Sequence, residues 1–316
     1  MAAAFAAATF AFVCIQLAPG DPVTALGEGV PEAVRDRLRA VYGYDSSIGT
    51  QYIRWLAALL RGDFGFSTAQ QRPALDVVLD ALGNSLVIVL PGVALAMLFG
   101  MLLGVWQGIH ARTRGDRIVS TIMATLYAMP EFSLALILLL LFSVIWPVLP
   151  AGGMVDDMHA YYAPWKQVSD RVRHLVMPVL VIALVDAAAL ARYQRQSMRD
   201  VLDQPFVRAA YGAGLPSRLV RMQAWRASLL PVLTLLGILL PVNLLGVVFV
   251  EQAFAWPGLG LAFFNAINAR DYAVVAACVI VEGVVIAIAG FAVELLREAA
   301  DPRLRLHEAD YQRGHG

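Results

Sequence analysis

The sequence predicts an all-α membrane protein of about six transmembrane helices, with a long external first loop and a short helix in a later cytoplasmic loop. Three observations lead there. Hydrophobic residues make up 59% of the 316 and charged ones only 15%, with a mean hydropathy of +0.66; soluble domains run at about a quarter charged. Apolar runs recur near the length of about 20 residues that a spanning helix needs. The arginines gather in a few loops instead of spreading along the chain.

In chain order, Ala2 to Leu17 is a short apolar segment with no basic leader, and reads as a first span rather than a signal peptide. Residues 18–83 form the external loop. In it Pro31 opens a stretch with Val34, Leu38 and Val41 at helical spacing. Tyr52, Trp55, Leu56 and Leu59 make an amphipathic piece, and Pro73 opens a further stretch with Leu75, Val78, Leu79 and Leu82. The expectation is an ordered cap. Further spans are expected at Asn84 to Ile109, Ile118 to about Phe142, Leu175 to Ala191, Leu229 to Val250 and Ala273 to Leu296. Pro91, Pro130, Pro178, Pro231 and Pro241 fall within or at the ends of these and are expected to bend them. Gly100, Gly104 and Gly108 recur at every fourth position, leaving a groove for close helix packing.

Six spans place both termini on one side of the bilayer. Loop 110–117 carries Arg112, Arg114 and Arg117, residues 192–226 carry seven more arginines, and the tail 297–316 adds Arg297, Arg303, Arg305 and Arg313. The opposite side holds only Lys166, Arg171, Arg173 and Arg270 once the first loop is set aside; loops beyond about 60 residues cross largely regardless of charge. Both termini and the 192–228 loop are therefore expected in the cytoplasm.

Several functions are excluded or unsupported by residue type alone. Zero formal net charge gives no footprint for nucleic acid. The single lysine, Lys166, has no glycine-rich run before it and no Ser or Thr after it, so the chain carries no P-loop. Any ATP chemistry must come from another polypeptide. Cys14 and Cys278 sit far apart in apolar segments and read as small buried hydrophobes. The five histidines show no metal spacing.

Residues 192–226 are the first candidate for function. A helical pattern runs from Arg192 to Asp203, Pro205 interrupts it, Phe206, Val207, Ala210 and Tyr211 give a modest apolar face, and Gly214, Leu215 and Pro216 end it. A short helix of this kind suits a groove on a partner protein, and the small Ala209, Ala210 and Ala213 let a partner's backbone approach. An interfacial helix that merely follows the positive-inside rule is the alternative.

The pattern Arg208-Ala209-Ala210, then Gly214, then Leu229-Leu230-Pro231, resembles the EAA loop of membrane subunits of binding-protein-dependent ABC importers. With Arg in place of the leading Glu, preceded by an aromatic and Val, it is similar to the B-type permease of the dipeptide/oligopeptide group. The resemblance covers nearly the whole chain. It includes Ala18-Pro19-Gly20-Asp21-Pro22, Gln51-Tyr52-Ile53-Arg54-Trp55, Arg61-Gly62-Asp63-Phe64-Gly65 and Leu149-Pro150-Ala151-Gly152-Gly153. Most specific is the run from Val250 to Gly260, VEQAFAWPGLG, with Arg270-Asp271-Tyr272 after it and Asp301-Pro302-Arg303 in the tail. The resemblance implies that Gln204 to Pro216 is a coupling helix seated in a cleft of an ATP-hydrolysing subunit, with Gln204, Phe206, Val207, Arg208, Ala209, Ala210, Gly214, Leu215 and Pro216 at the contact. It implies a non-enzymatic chain in the bacterial inner membrane that holds no cofactor of its own. ATP and Mg belong to two partner ATPase subunits, and a second, C-type permease and an extracytoplasmic solute-binding protein complete the assembly.

Glu131, Asp186, Asn243, Glu251 and Glu282 lie in or near apolar segments, where a charge costs about 2.5–3.5 kcal/mol on insertion scales. They are candidates for a translocation path, in which carboxylates meet a peptide's amine and amide hydrogens; pairing within the bundle or at an interface is the alternative. The leading expectation is import of di- or oligopeptides. Nickel chelates or glutathione-like solutes remain open, as does a proton-coupled carrier using Asp186 or Glu131 as a relay.

Overall fold

The computed structural model describes Thr9, Phe12, Val13, Gln16 and residues 46–300. Most of the expected first span, Cys14, the Pro31 stretch and the tail from Asp301 lie outside the described residues. The chain divides into two compact units, Met1–Ser85 with Pro257–Val285, and Leu86–Trp256 with Ile286–Gly316.

In the first unit, α1 (Ile48–Leu60) begins at Ser47, whose hydroxyl accepts the Thr50 amide at 3.4 Å. Its aromatic residues face earlier chain: the Phe12 ring lies 5.2 Å from Tyr52 and 5.4 Å from Trp55, and the Tyr52 hydroxyl bonds Thr9 Oγ1 at 2.9 Å. A two-stranded antiparallel hairpin follows, β1 (Phe66–Ser67) and β2 (Arg72–Pro73). The buried Asp271 carboxylate ties it down by accepting from the Ser67 hydroxyl and from the Ala69 amide at 3.2 Å. Next come the first turns of α2 (Ala74–Ile109), α9 (Leu259–Asn268) and the first turns of α10 (Tyr272–Ala300). Ala74, Val77, Val78, Leu259, Val274 and Ala277 are among the residues that form their shared core. The end of the expected external loop and the span after it are thus one helix, starting ten residues before Asn84.

The second unit holds the rest of α2, then α3 (Arg114–Ala128), α4 (Glu131–Leu139) running into a π-helical turn at Leu140–Ile145, α5 (Pro164–Leu202), α6 (Pro205–Gly212), α7 (Ser217–Gly246) and α8 (Val248–Ala253). The expected span from Ile118 to Phe142 is not one continuous helix. It breaks at Met129–Pro130, where the two helical arms are bent by 103°. Met129 is extended, at φ −83° and ψ 128°, as the residue before a proline prefers. Pro91 and Pro178 instead lie inside continuous helices. Among the described residues, three helices are long and apolar enough to cross a bilayer, or four if the bent pair is one span. The expected Leu229–Val250 span covers the latter part of α7 and, past Val247, the first residues of α8.

The glycine stripe of α2 packs against α5. A Cβ on Gly100 would stand 2.7 Å from Leu190 Cβ, on Gly104 2.6 Å from Gln194 Cβ and on Gly108 2.7 Å from Met198 Cβ. Gly92 extends the stripe, with Ile182 Cγ2 at 2.7 Å, and the fully buried Ala96 fills the position between. Small residues every four positions let two backbones approach, which is the main attraction available between helices in lipid.

Four helices end in the same Schellman geometry. After α1 the Asp63 amide returns to Ala58 O, after α6 Leu215 to Ala210 O, after α8 Trp256 to Glu251 O, and after α9 Asp271 to Ala266 O. The residue that must take positive φ is Gly62 (82°), Gly214 (75°), Ala255 (48°) and Arg270 (54°) respectively.

Candidate functional site

The site begins with the hairpin of α5 and α7. α5 has 39 residues, about 58 Å at the α-helical rise, so it extends well beyond a hydrocarbon core of about 30 Å. Asp203 caps it, Gln204 is extended, and Pro205 occupies the first turn of α6, where its missing amide costs nothing. A polar clamp joins the two long helices near this end. Gln194 Nε2 donates to Ser228 Oγ at 2.7 Å, and Ser197 Oγ donates to the Ser228 carbonyl at 2.9 Å, all buried.

α6 is anchored by one side chain and open elsewhere. Val207 is buried, at 1% exposure, and Ala210 is half-buried. Gln204, Phe206, Arg208, Ala209, Gly214, Leu215 and Pro216 are exposed, as is Tyr211. The apolar face expected from spacing is therefore divided: Val207 turns inward, while Phe206 and Tyr211 turn outward. Gly214 completes the Schellman cap through its amide to Tyr211 O at 3.0 Å, and a Cβ there would meet nothing within 4 Å. Within this chain, only backbone conformation requires that glycine.

Asp186 and Asn243, two of the five polar candidates, are joined directly. Asn243 Nδ2, on α7, donates to Asp186 Oδ2, on α5, at 2.7 Å, and both are buried. Asn243 also donates to Leu239 O at 2.9 Å. Glu131 opens α4 within electrostatic reach of Asp186, at the proline break. Glu251 is fully buried on α8. Glu282 lies on α10 in the other compact unit.

Two polar clusters escaped the sequence reading. At one end of the second unit, Arg195 forks onto Asp116, Nε to Oδ1 and Nη2 to Oδ2 both at 2.8 Å. Residues 79 positions apart give no local signal, and Arg195 reads from sequence as one more loop arginine. At the other end, His159 Nδ1 lies 2.6 Å from Asp170 Oδ2 and His174 Nδ1 3.3 Å from Oδ1. The neighbouring Asp156 carboxylate accepts the Met158 amide at 2.9 Å and the Tyr162 hydroxyl at 3.0 Å, which hold its pKa below the usual carboxylate range. A histidine five residues before the start of a long helix carries no pattern that announces this pairing.

A long helical hairpin carries an exposed, capped helix at its tip, and a buried polar pair, Asp186 with Asn243, lies between apolar helices. Comparison with known proteins is specific. Residues 96–306 match the family described as the binding-protein-dependent transport system inner membrane component, and the chain belongs to that family. It is accordingly a multi-pass membrane protein. It is similar to the oligopeptide transport system permease protein AppB of Bacillus subtilis, 32% identical over 296 residues, covering 93% of this chain and 92% of the relative. It is 31% identical to the permease OppB of Mycobacterium tuberculosis over 306 residues, with 94% and 93% covered. It is 29% identical to the dipeptide permease DppB of Escherichia coli over 316 residues, again with 94% and 93% covered.

Proposed function

We propose that this chain is the B-type permease of an ATP-driven importer of di- or oligopeptides. With a second, C-type permease it encloses the path; an extracytoplasmic binding protein delivers the peptide, and two ATPase subunits holding ATP and Mg drive the cycle. The relatives named as peptide permeases over nearly the full chain support the cargo. Both termini, loop 110–117 and the 192–228 loop then lie in the cytoplasm, and residues 18–83 belong to the external cap.

The observation that carries the coupling role is α6 itself. Its one buried side chain and its glycine cap fix it on the tip of a clamped hairpin, and Arg208, Ala209 and Tyr211 are left free for a groove on the motor. ATP binding shifts the transporter between states only by favouring one of them through a differential contact, and this helix is where such a contact enters the chain. Asp186 with Asn243, Glu131, Glu251 and Glu282 are the path candidates. Their carboxylates suit a peptide's amine, and Glu131 stands directly after the 103° bend at Met129–Pro130.

The test uses Ala209→Trp and Gly214→Leu in the complete transporter. Ala209 is exposed, so the tryptophan disturbs a partner and not the fold. The expected outcome is normal membrane insertion with loss of peptide uptake and of copurifying ATPase. Full uptake by both variants would remove the coupling role.

A further inference from the structure

We infer that Asp116 and Arg195 are positioning residues that carry the movement of α6 to α3, a link that rests on the coupling role proposed above. Arg195 lies two turns before the end of α5, next to Gln194 of the clamp. Because Gln194 and Ser197 lock α5 to Ser228 of α7, a displacement of α6 moves the hairpin tip as one body. Arg195 is the side chain by which that body grips the start of α3, while Arg192, one turn earlier, lies 4.9 Å from the centre of the Tyr127 ring near its end.

The grip is stiff for three reasons. The Asp116 side chain is 1% exposed and that of Arg195 27%; an exposed pair exchanges easily with water and is worth little, whereas a buried carboxylate has no water to turn to. The two bonds of 2.8 Å are parallel and charge-assisted. The carboxylate is also built into the start of α3: Oδ2 accepts the Arg112 amide at 2.9 Å, Oδ1 accepts Ser120 Oγ at 3.3 Å and Gln107 Nε2 at 3.4 Å, and the Asp116 amide donates to Thr113 Oγ1. Pulling on Asp116 therefore moves the whole N-terminal turn of α3. At its far end α3 meets the 103° bend at Met129–Pro130, beyond which Glu131 begins α4. α3 is then an arm between the motor side and a path carboxylate, pivoting at a proline joint.

Arg195→Met is the informative change, because it leaves the Arg112 and Thr113 contacts of Asp116 in place; Arg195→Lys keeps the charge and loses the fork. The complete complex, with binding protein and peptide, is reconstituted in proteoliposomes. ATPase rate with and without loaded binding protein, and peptide moved per ATP, are measured for wild type and both variants. The expected result is that the Met variant keeps its ATPase subunits and basal hydrolysis, while peptide moved per ATP falls about tenfold, within the usual range of coupling between sites, and the Lys variant falls less. An unchanged ratio in the Met variant overturns the inference, as does loss of its ATPase subunits, which would make the pair a docking device. Wild-type complex whose ATPase ignores loaded binding protein would instead overturn the proposed function and this inference with it.

Discussion

Gly104→Ala should destabilise the protein although it replaces a poor helix former with the best. The new Cβ would lie 2.6 Å from Gln194 Cβ, 2.7 Å from the Ala191 carbonyl oxygen and 2.9 Å from Gln194 Cγ. Carbon atoms in comfortable contact sit about 3.5–4.0 Å apart, so α2 and α5 must separate by roughly 1 Å. The carbonyl is backbone and cannot rotate away. Forcing a methyl into such a contact costs about 1–3 kcal/mol, against a propensity gain of about 1 kcal/mol. The shift also displaces Gln194, whose side chain donates to Ser228, and so disturbs the clamp behind α6. Gly83→Ala on the same helix is the control. Its Cβ meets nothing within 4 Å, so it should gain about 0.5–1 kcal/mol. Thermal denaturation in detergent, followed by tryptophan fluorescence, should rank the proteins Gly83→Ala above wild type and wild type above Gly104→Ala. A Gly104→Ala protein as stable as Gly83→Ala would refute the close packing of α2 on α5.

Ala255→Gly should stabilise by about 1 kcal/mol, since Ala255 holds φ 48° in a Schellman cap that a Cβ disfavours; a lower denaturation midpoint would contradict that backbone geometry. Val207→Ala removes the buried anchor of α6 and should cost about 2 kcal/mol if the loss is fully felt, seen as faster amide exchange over 205–213 with the rest of the chain protected. The Asp156 carboxyl titrates below its ordinary range, so its contribution is complete above that range and is lost as pH falls through the lowered value. Amide exchange at 156–162 should accelerate on acidification, and Tyr162→Phe should move the onset to higher pH; an unchanged onset would remove the hydroxyl's role.

What the sequence made legible was whatever depends on local pattern. Apolar runs located the long helices, Pro205 and Gly214 bracketed α6, and the Gly100-Gly104-Gly108 spacing marked a packing seam whose partner, α5, was not readable. Proline position alone was ambiguous. Pro91 and Pro178 continue their helices while Pro130 breaks one, because a proline is tolerated inside a helix wherever neighbours satisfy the freed carbonyls. Two of the four Schellman caps carry Ala255 and Arg270 in place of glycine, so their turns had no glycine to announce them. The Asp116–Arg195 fork and the Asp186–Asn243 bond join helices far apart in sequence, and a single chain carries no record of such pairing. Glu131, Asp186 and Asn243 stood out because a polar group in an apolar run is costly, which marks a residue without naming its partner.

The most direct measurement is peptide uptake by the complete transporter in sealed proteoliposomes, with the ATP supply and the proton gradient varied separately. Uptake that requires ATP on the α6 side, stops with vanadate and is indifferent to a collapsed proton gradient is the predicted result. Uptake that follows the proton gradient and ignores ATP and vanadate would contradict it, and would return Asp186 and Glu131 to the role of a proton relay.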